Sequence, residues 1–154
     1  MKQKAVQYQL LKKKFNFMNL NIGDSCSVTK KITIDLILNF ANISGDFNPV
    51  HIDPEYAKNT IFKQPIAHGL ISASLFSGVF GTKIPGENSL YISQNLKFRN
   101  PVFVNDEVEA IVTITKIDKR RNWFYFDTIC KNLTTKKIII TGEAIIFKEQ
   151  KKNQ

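Results

Sequence analysis

The stretch GDFNPVHIDPEYA, residues 45–57, places a carboxylate (Asp46), an amide (Asn48), a proline (Pro49) and an imidazole (His51) within six positions. A carboxylate accepts hydrogen bonds, and a histidine both donates and accepts near neutral pH. Together they can hold one water molecule and move its proton. Fully extended, the five residues from Asp46 to His51 would separate their Cα atoms by about 17 Å, too far for joint action. Asn48 and Pro49 oppose extension, because Asn favours local side-chain to backbone bonds and Pro presets a turn dihedral. The chain is therefore expected to double back and bring the two side chains towards each other. The same residue types also suit a plain polar loop, with Asp46 capping the turn and His51 partly exposed. The surrounding elements bear on which reading holds.

Before this stretch, Thr33 or Asp35 can cap DLILNFANIS, whose Leu36, Ile37, Phe40 and Ile43 recur at helical spacing, and Gly45 stops it. After it, Asp53, Pro54 and Glu55 supply the N-cap, first position and first-turn acid of a short helix through Tyr56 to about Thr60. IAHGLISASLFSGVFG, residues 66–81, is apolar on every face, interrupted only by Ser, Ala and Gly, which predicts a buried helix that strands can approach closely. Gly81, Pro85 and Gly86 end it. In the second half, SLYISQNLKFRN, DEVEAIVTITKI, NWFYFDTICKN and KKIIITGEAIIFK are rich in β-branched and aromatic residues, with polar breaks at DKRR and LTTK. A further strand is expected in SCSVTKKIT. One buried helix with five or six antiparallel strands implies an α+β domain whose sheet curls around that helix.

The 154 residues, 43% hydrophobic and 23% charged, suit one domain with a sizeable core. The longest apolar runs, such as KIIITGEAIIF, are broken well short of the ~20 residues that cross a bilayer. MKQKAVQYQLLKKKFNFMN has no acidic residue but lacks the apolar block of a secretory signal, and an organelle presequence would be richer in Arg and Ser. Residues 1–22 are read as a basic arm, 23–148 as the domain and 149–154 as a basic tail. Cys26 and Cys130 are too few for a disulfide framework and are expected to be small core residues in a reducing cytosol. With two histidines and no close Cys/His grouping, no metal site is expected. The net charge of +9 is concentrated at the chain ends and in turns, where a solvated surface carries lysines anyway. Without an aromatic-basic recognition motif, nucleic-acid binding is not expected.

Residues 44–86, SGDFNPVHIDPEYAKNTIFKQPIAHGLISASLFSGVFGTKIPG, resemble the signature of the MaoC-like (R)-specific enoyl-CoA hydratases. The correspondence runs in order through Gly45, Asp46, Asn48, Pro49, His51 and Asp53, then Tyr56 and Ala57, then IAHG, then PG. LKFRNPVFVNDEV resembles the next strand and turn, with Asn105 where many members have glycine, and the likeness spans roughly residues 23–148. The resemblance implies the hotdog fold, in agreement with the helix-in-sheet expectation. It also implies that Asp46 and His51 are the catalytic pair, positioning a water that adds to a trans-2-enoyl thioester to give a (3R)-3-hydroxyacyl thioester. It implies a homodimer with the site between subunits, and no cofactor beyond the CoA thioester substrate.

A helix start offers unpaired N–H groups and a positive dipole end, and Gly69 sits there without a side chain to block a thioester oxygen. Close helix–sheet packing would also explain this glycine. Ser77, two turns further on, is placed by the resemblance in a supporting role. Asn48 orients the water or simply forms the turn, and His68 in AHG is expected to be a buried structural histidine. Two other activities fit the same residues: dehydration of a 3-hydroxyacyl-carrier-protein thioester, and non-catalytic binding of acyl-CoA.

Overall fold

Alternation of apolar and polar residues sets the strands where the sequence predicts them. The computed structural model describes residues 20–149. The expected basic arm and tail lie, except for residues 20–22 and 149, outside the described residues. In chain order the elements are β1 (Ser25–Lys31), α1 (Ile34–Ser44), α2 (Pro49–Ile52), α3 (Pro54–Lys58), α4 (Gly69–Thr82), β2 (Ser89–Phe98), β3 (Glu107–Asp118), β4 (Trp123–Asn132) and β5 (Ile138–Lys148). The five strands form one antiparallel sheet in the order β1-β3-β4-β5-β2, with β3, β4 and β5 a meander.

Every second residue of β3 (Val108, Ala110, Val112 and Ile114) is buried, as are Phe126 and Cys130 of β4. This inner face packs on Ile71, Phe76, Val79 and Phe80 of α4 in one hydrophobic cluster. Phe80 meets Phe126 edge-on, with ring centroids 4.8 Å apart. Each large side chain buried in this way contributes roughly 1.5–3 kcal/mol. The architecture is the expected α+β hotdog arrangement, a sheet folded against one central helix.

The expectation that α4 is buried on all sides needs correcting. Leu70 is 54% exposed, and Ser74, Ser77, Gly78, Gly81 and Thr82 are exposed as well. A single sheet curls around only one side of the helix, so the hydroxyl and glycine positions collect on the other side. Positions 70, 74, 77, 78 and 81 do recur at helical spacing, but Leu, Ser and Gly mix there with too little polarity to mark the face as solvent-exposed.

A polar latch joins the sheet to the start of α4. Asp106 is buried, and its Oδ2 accepts the Phe103 N–H at 2.9 Å and the Asn132 Nδ2–H at 2.7 Å. The turn it holds presents the Val102 carbonyl to the Ala67 N–H at 2.8 Å, and Ile66 bridges to Phe103. Asn105, at φ 72°, takes the left-handed conformation in this turn. Asn tolerates it better than most residues, which accounts for its presence in this turn.

Candidate active site

The loop between α1 and α2 is built from short-range hydrogen bonds that the sequence encodes. Thr33 caps α1 through the Leu36 N–H at 3.3 Å, so it, and not Asp35, is the cap. Gly45 ends α1 in the left-handed region at φ 75°, with its N–H on the Ala41 carbonyl. Asp46 Oδ1 then accepts the Asn48 N–H at 3.2 Å, and Asn48 Oδ1 accepts the Val50 N–H at 3.2 Å. Pro49 supplies the first residue of α2, so the expected turn is a single helical turn capped by Asn48. Asp53 caps α3 through the Glu55 and Tyr56 N–H groups.

The turn of α2 carries His51 back towards Asp46. Nδ1 of His51 lies 2.7 Å from the Ile66 carbonyl oxygen, an acceptor, so this nitrogen donates. In the neutral ring that leaves a lone pair on Nε2. Nε2 in turn lies 3.9 Å from Asp46 Oδ2, with the His51 side chain 12% and the Asp46 side chain 51% exposed. That gap is too long for a direct hydrogen bond, but a water about 2.8 Å from each fits between them. Two acceptors facing one another suit the two protons of one water.

His68 joins this pair across 22 residues of sequence. Its Nε2–H donates to the Asp46 main-chain carbonyl at 2.9 Å and lies 3.9 Å from Asp46 Oδ2. Its ring lies tilted against that of His51, with centroids 3.8 Å apart and planes at 31°. The expectation of no close grouping of metal-binding residues is therefore corrected: one ligand atom from each of Asp46, His51 and His68 falls within 4.8 Å of the others. The donor set nevertheless fits a divalent ion poorly. Nε2 of His68 carries its proton, donated to the Asp46 carbonyl, and so has no lone pair to offer a metal.

Gly69 is the first residue of α4, and its N-cap, His68, makes no side-chain capping bond. Helix geometry leaves its N–H without an intrahelical partner. It borders a cleft of about 470 Å³ lined also by His51, Phe62, Ile66, Leu70 and Phe98. A Cβ built on Gly69 would stand 2.7 Å from Cε1 of Phe98. The cleft thus has largely apolar walls, with an imidazole and a helix start among its lining.

Asn48 adjoins Asp46 as the cap of α2, whereas Ser77 lies elsewhere. The Asn48 side-chain oxygen is used in the cap of α2. Ser77 is exposed on α4, eight residues beyond Gly69 or about 12 Å along the axis, and is not among the cleft-lining residues. Ser72 lines the cleft instead. It is 2% exposed, and its Oγ has no hydrogen-bond partner among the described residues. Other helix hydroxyls bond back to the preceding turn, Ser74 to the Ile71 carbonyl and Thr82 to the Gly78 carbonyl. In sequence Ser72 is one of several serines, and only its spacing of three from Gly69 sets it on the same side of the helix.

Comparison with known proteins follows the same lines. Residues 21–137 match the MaoC like domain family. The chain is 40% identical over 131 residues to the (R)-specific enoyl-CoA hydratase of Rhodospirillum rubrum, covering 85% of this chain and 90% of that protein. It is 32% identical over 127 residues to the mitochondrial 3-hydroxyacyl-[acyl-carrier-protein] dehydratase of Arabidopsis thaliana, covering 81% and 75% respectively. Among solved structures, the (R)-hydratase from A. caviae involved in PHA biosynthesis superposes with a TM-score of 0.82 at 37% identity, covering 86% of this chain and 99% of that one.

Proposed function

The chain belongs to the MaoC-like domain family, and from that premise we propose that it is an (R)-specific enoyl-CoA hydratase in which Asp46 and His51 are the catalytic pair. It adds water reversibly across a trans-2-enoyl-CoA to give a (3R)-3-hydroxyacyl-CoA, and it is a hydro-lyase. The observation that carries the residue assignment is the opposition of His51 Nε2 and Asp46 Oδ2 across 3.9 Å, with His51 itself lining the cleft.

The enoyl chain lies in the cleft with its thioester oxygen on the Gly69 N–H. Asp46 and His51 hold a water between them, and one takes its proton as the hydroxyl oxygen bonds to the β carbon. Negative charge then moves onto the thioester oxygen, where the N–H and the positive end of α4 stabilise it. The proton returns from the pair to the α carbon on the same face, so both residues end as they began. These residues supply all the acid–base steps, and the reaction needs no cofactor besides the CoA of the substrate. The catalytic domain is residues 23–148 of a cytoplasmic protein, flanked by basic extensions.

A homodimer is supported by β2, which lies at the sheet edge with Leu90 63%, Tyr91 44% and Ile92 47% exposed. An exposed edge with apolar side chains invites pairing with a second strand. A second substrate, a 3-hydroxyacyl-carrier-protein thioester, is favoured by the net charge of +9 and by the likeness to the plant dehydratase. The deciding experiment incubates the protein with crotonyl-CoA and with crotonyl-carrier protein and follows the enoyl thioester absorbance. Rapid loss with the CoA ester is expected. No loss with either at micromolar protein would overturn the reading and leave a non-catalytic acyl-CoA-binding module.

A further inference from the structure

His68 does more than fill space beneath the site. It is 3% exposed, donates from Nε2 to the Asp46 carbonyl at 2.9 Å, and lies with its ring 3.8 Å from that of His51. Its ring also lies 5.0 Å from that of Phe40, centroid to centroid. One side chain thus touches both Asp46 and His51. Its Nδ1 is buried with no hydrogen-bond partner among the described residues, a state that costs stability. A residue needed only for packing would carry no such penalty, and an apolar ring would serve as well. The imidazole therefore owes its place to what Nε2 and the ring plane do.

Asp46 has no regular element beneath it. Its N–H rests on Ser44 Oγ and its carboxylate on the Asn48 N–H, both at 3.2 Å and both in an exposed loop. The bond from His68 ties this loop to the first turn of α4, the element that presents Gly69. His51 is held at one edge by the Ile66 carbonyl, and the His68 ring fixes its remaining freedom, rotation of the plane. We propose that His68 is the positioning residue of the Asp46–His51 pair, locking carboxylate, imidazole and the Gly69 N–H into one rigid frame around the water. The inference rests on the hydratase reading for its kinetic consequence, though not for its structural one.

Two variants separate the two contacts. His68→Phe keeps a ring against His51 and loses the donor, whereas His68→Gln keeps a donor near Nε2 and loses the ring. With crotonyl-CoA, each is expected to lower kcat by about 10- to 100-fold, the usual cost of misplacing a reacting group by an ångström. KM should move less than about threefold, and thermal unfolding should remain cooperative. Nitrogen-15 NMR of the His51 ring gives a readout independent of turnover. It is expected to report the Nδ1–H tautomer that the Ile66 carbonyl holds in both proteins, with sharp ring resonances in the wild type and resonances broadened by motion of the ring plane in His68→Gln. A folded His68→Phe or His68→Gln with wild-type kcat, or His51 resonances as sharp in His68→Gln as in the wild type, would overturn the positioning role while leaving the hydratase reading intact. An inactive wild type would instead overturn the hydratase reading, and the NMR comparison alone would then decide the role of His68. If His68→Phe fails to fold, His68→Gln carries both measurements.

Discussion

Nε2 of His51 faces Oδ2 of Asp46 across 3.9 Å, while Nδ1 of the same ring is held on the Ile66 carbonyl at 2.7 Å. One contact fixes the tautomer and the other leaves room for a water, so the ring presents a lone pair to the place where a proton must be taken.

Asp46→Asn should therefore separate chemistry from folding. Asparagine still accepts the Asn48 N–H, and the side chain is half exposed, so stability should change by less than about 1 kcal/mol. Turnover of crotonyl-CoA should fall by about 10²- to 10⁴-fold, the usual contribution of a positioned acid or base. Near-full activity in the folded variant would remove Asp46 from the pair.

Gly69→Ala tests the helix start. The added methyl would meet Phe98 at 2.7 Å, and because Phe98 is 54% exposed its ring can swing aside at little cost. Turnover should nevertheless drop by about 10²-fold, since the methyl stands between the thioester oxygen and the N–H. Adding Phe98→Ala should relieve the crowding without restoring kcat. Recovery of kcat in the double variant would mean that Gly69 serves packing alone.

The thiol of Cys130 is buried within the core, which together with the nearby Glu109 charge lifts its pKa from the ordinary 9.0 to about 12. The unfolded chain thus releases this proton at lower pH than the native one. The sign follows: this contribution to stability is fully present below about pH 9 and is lost as pH rises towards 12. Urea unfolding midpoints should be flat in this respect up to pH 9 and decline above it. In the native protein at pH 8 the Cys130 thiol should resist a disulfide reagent and react only on unfolding. Rapid labelling under native conditions would contradict its burial.

The exposed edge of β2 leads to an assembly prediction. Light scattering should give twice the chain mass, and Ile92→Lys, which places a charge on the edge, should shift the protein towards monomer and lower activity in parallel. A fully active wild-type monomer at assay concentration would exclude a site completed by a partner.

Much of this molecule is local, and that part is legible in the sequence. Asp53 and Pro54 start α3 because a side-chain oxygen reaches N–H groups two and three residues on. Gly45 ends α1 because it takes a left-handed φ without a Cβ penalty. The strands announce themselves by alternation, since one face meets α4 and the other meets solvent. The bend at Asn48 and Pro49 that returns His51 to Asp46 is of the same kind.

What the sequence could not disclose depends on contacts across many positions. His68 reaches Asp46 over 22 residues and His51 reaches Ile66 over 15, and no period or spacing encodes either bond. The choice between Ser72 and Ser77 turned on which side of α4 the sheet covers. Residue types and short-range hydrogen bonds determine that a carboxylate, an imidazole and a bare helix start occur in order. Only the packing of α4 against the sheet decides where they meet, because a side chain's direction is fixed locally while its neighbours are fixed by the whole chain.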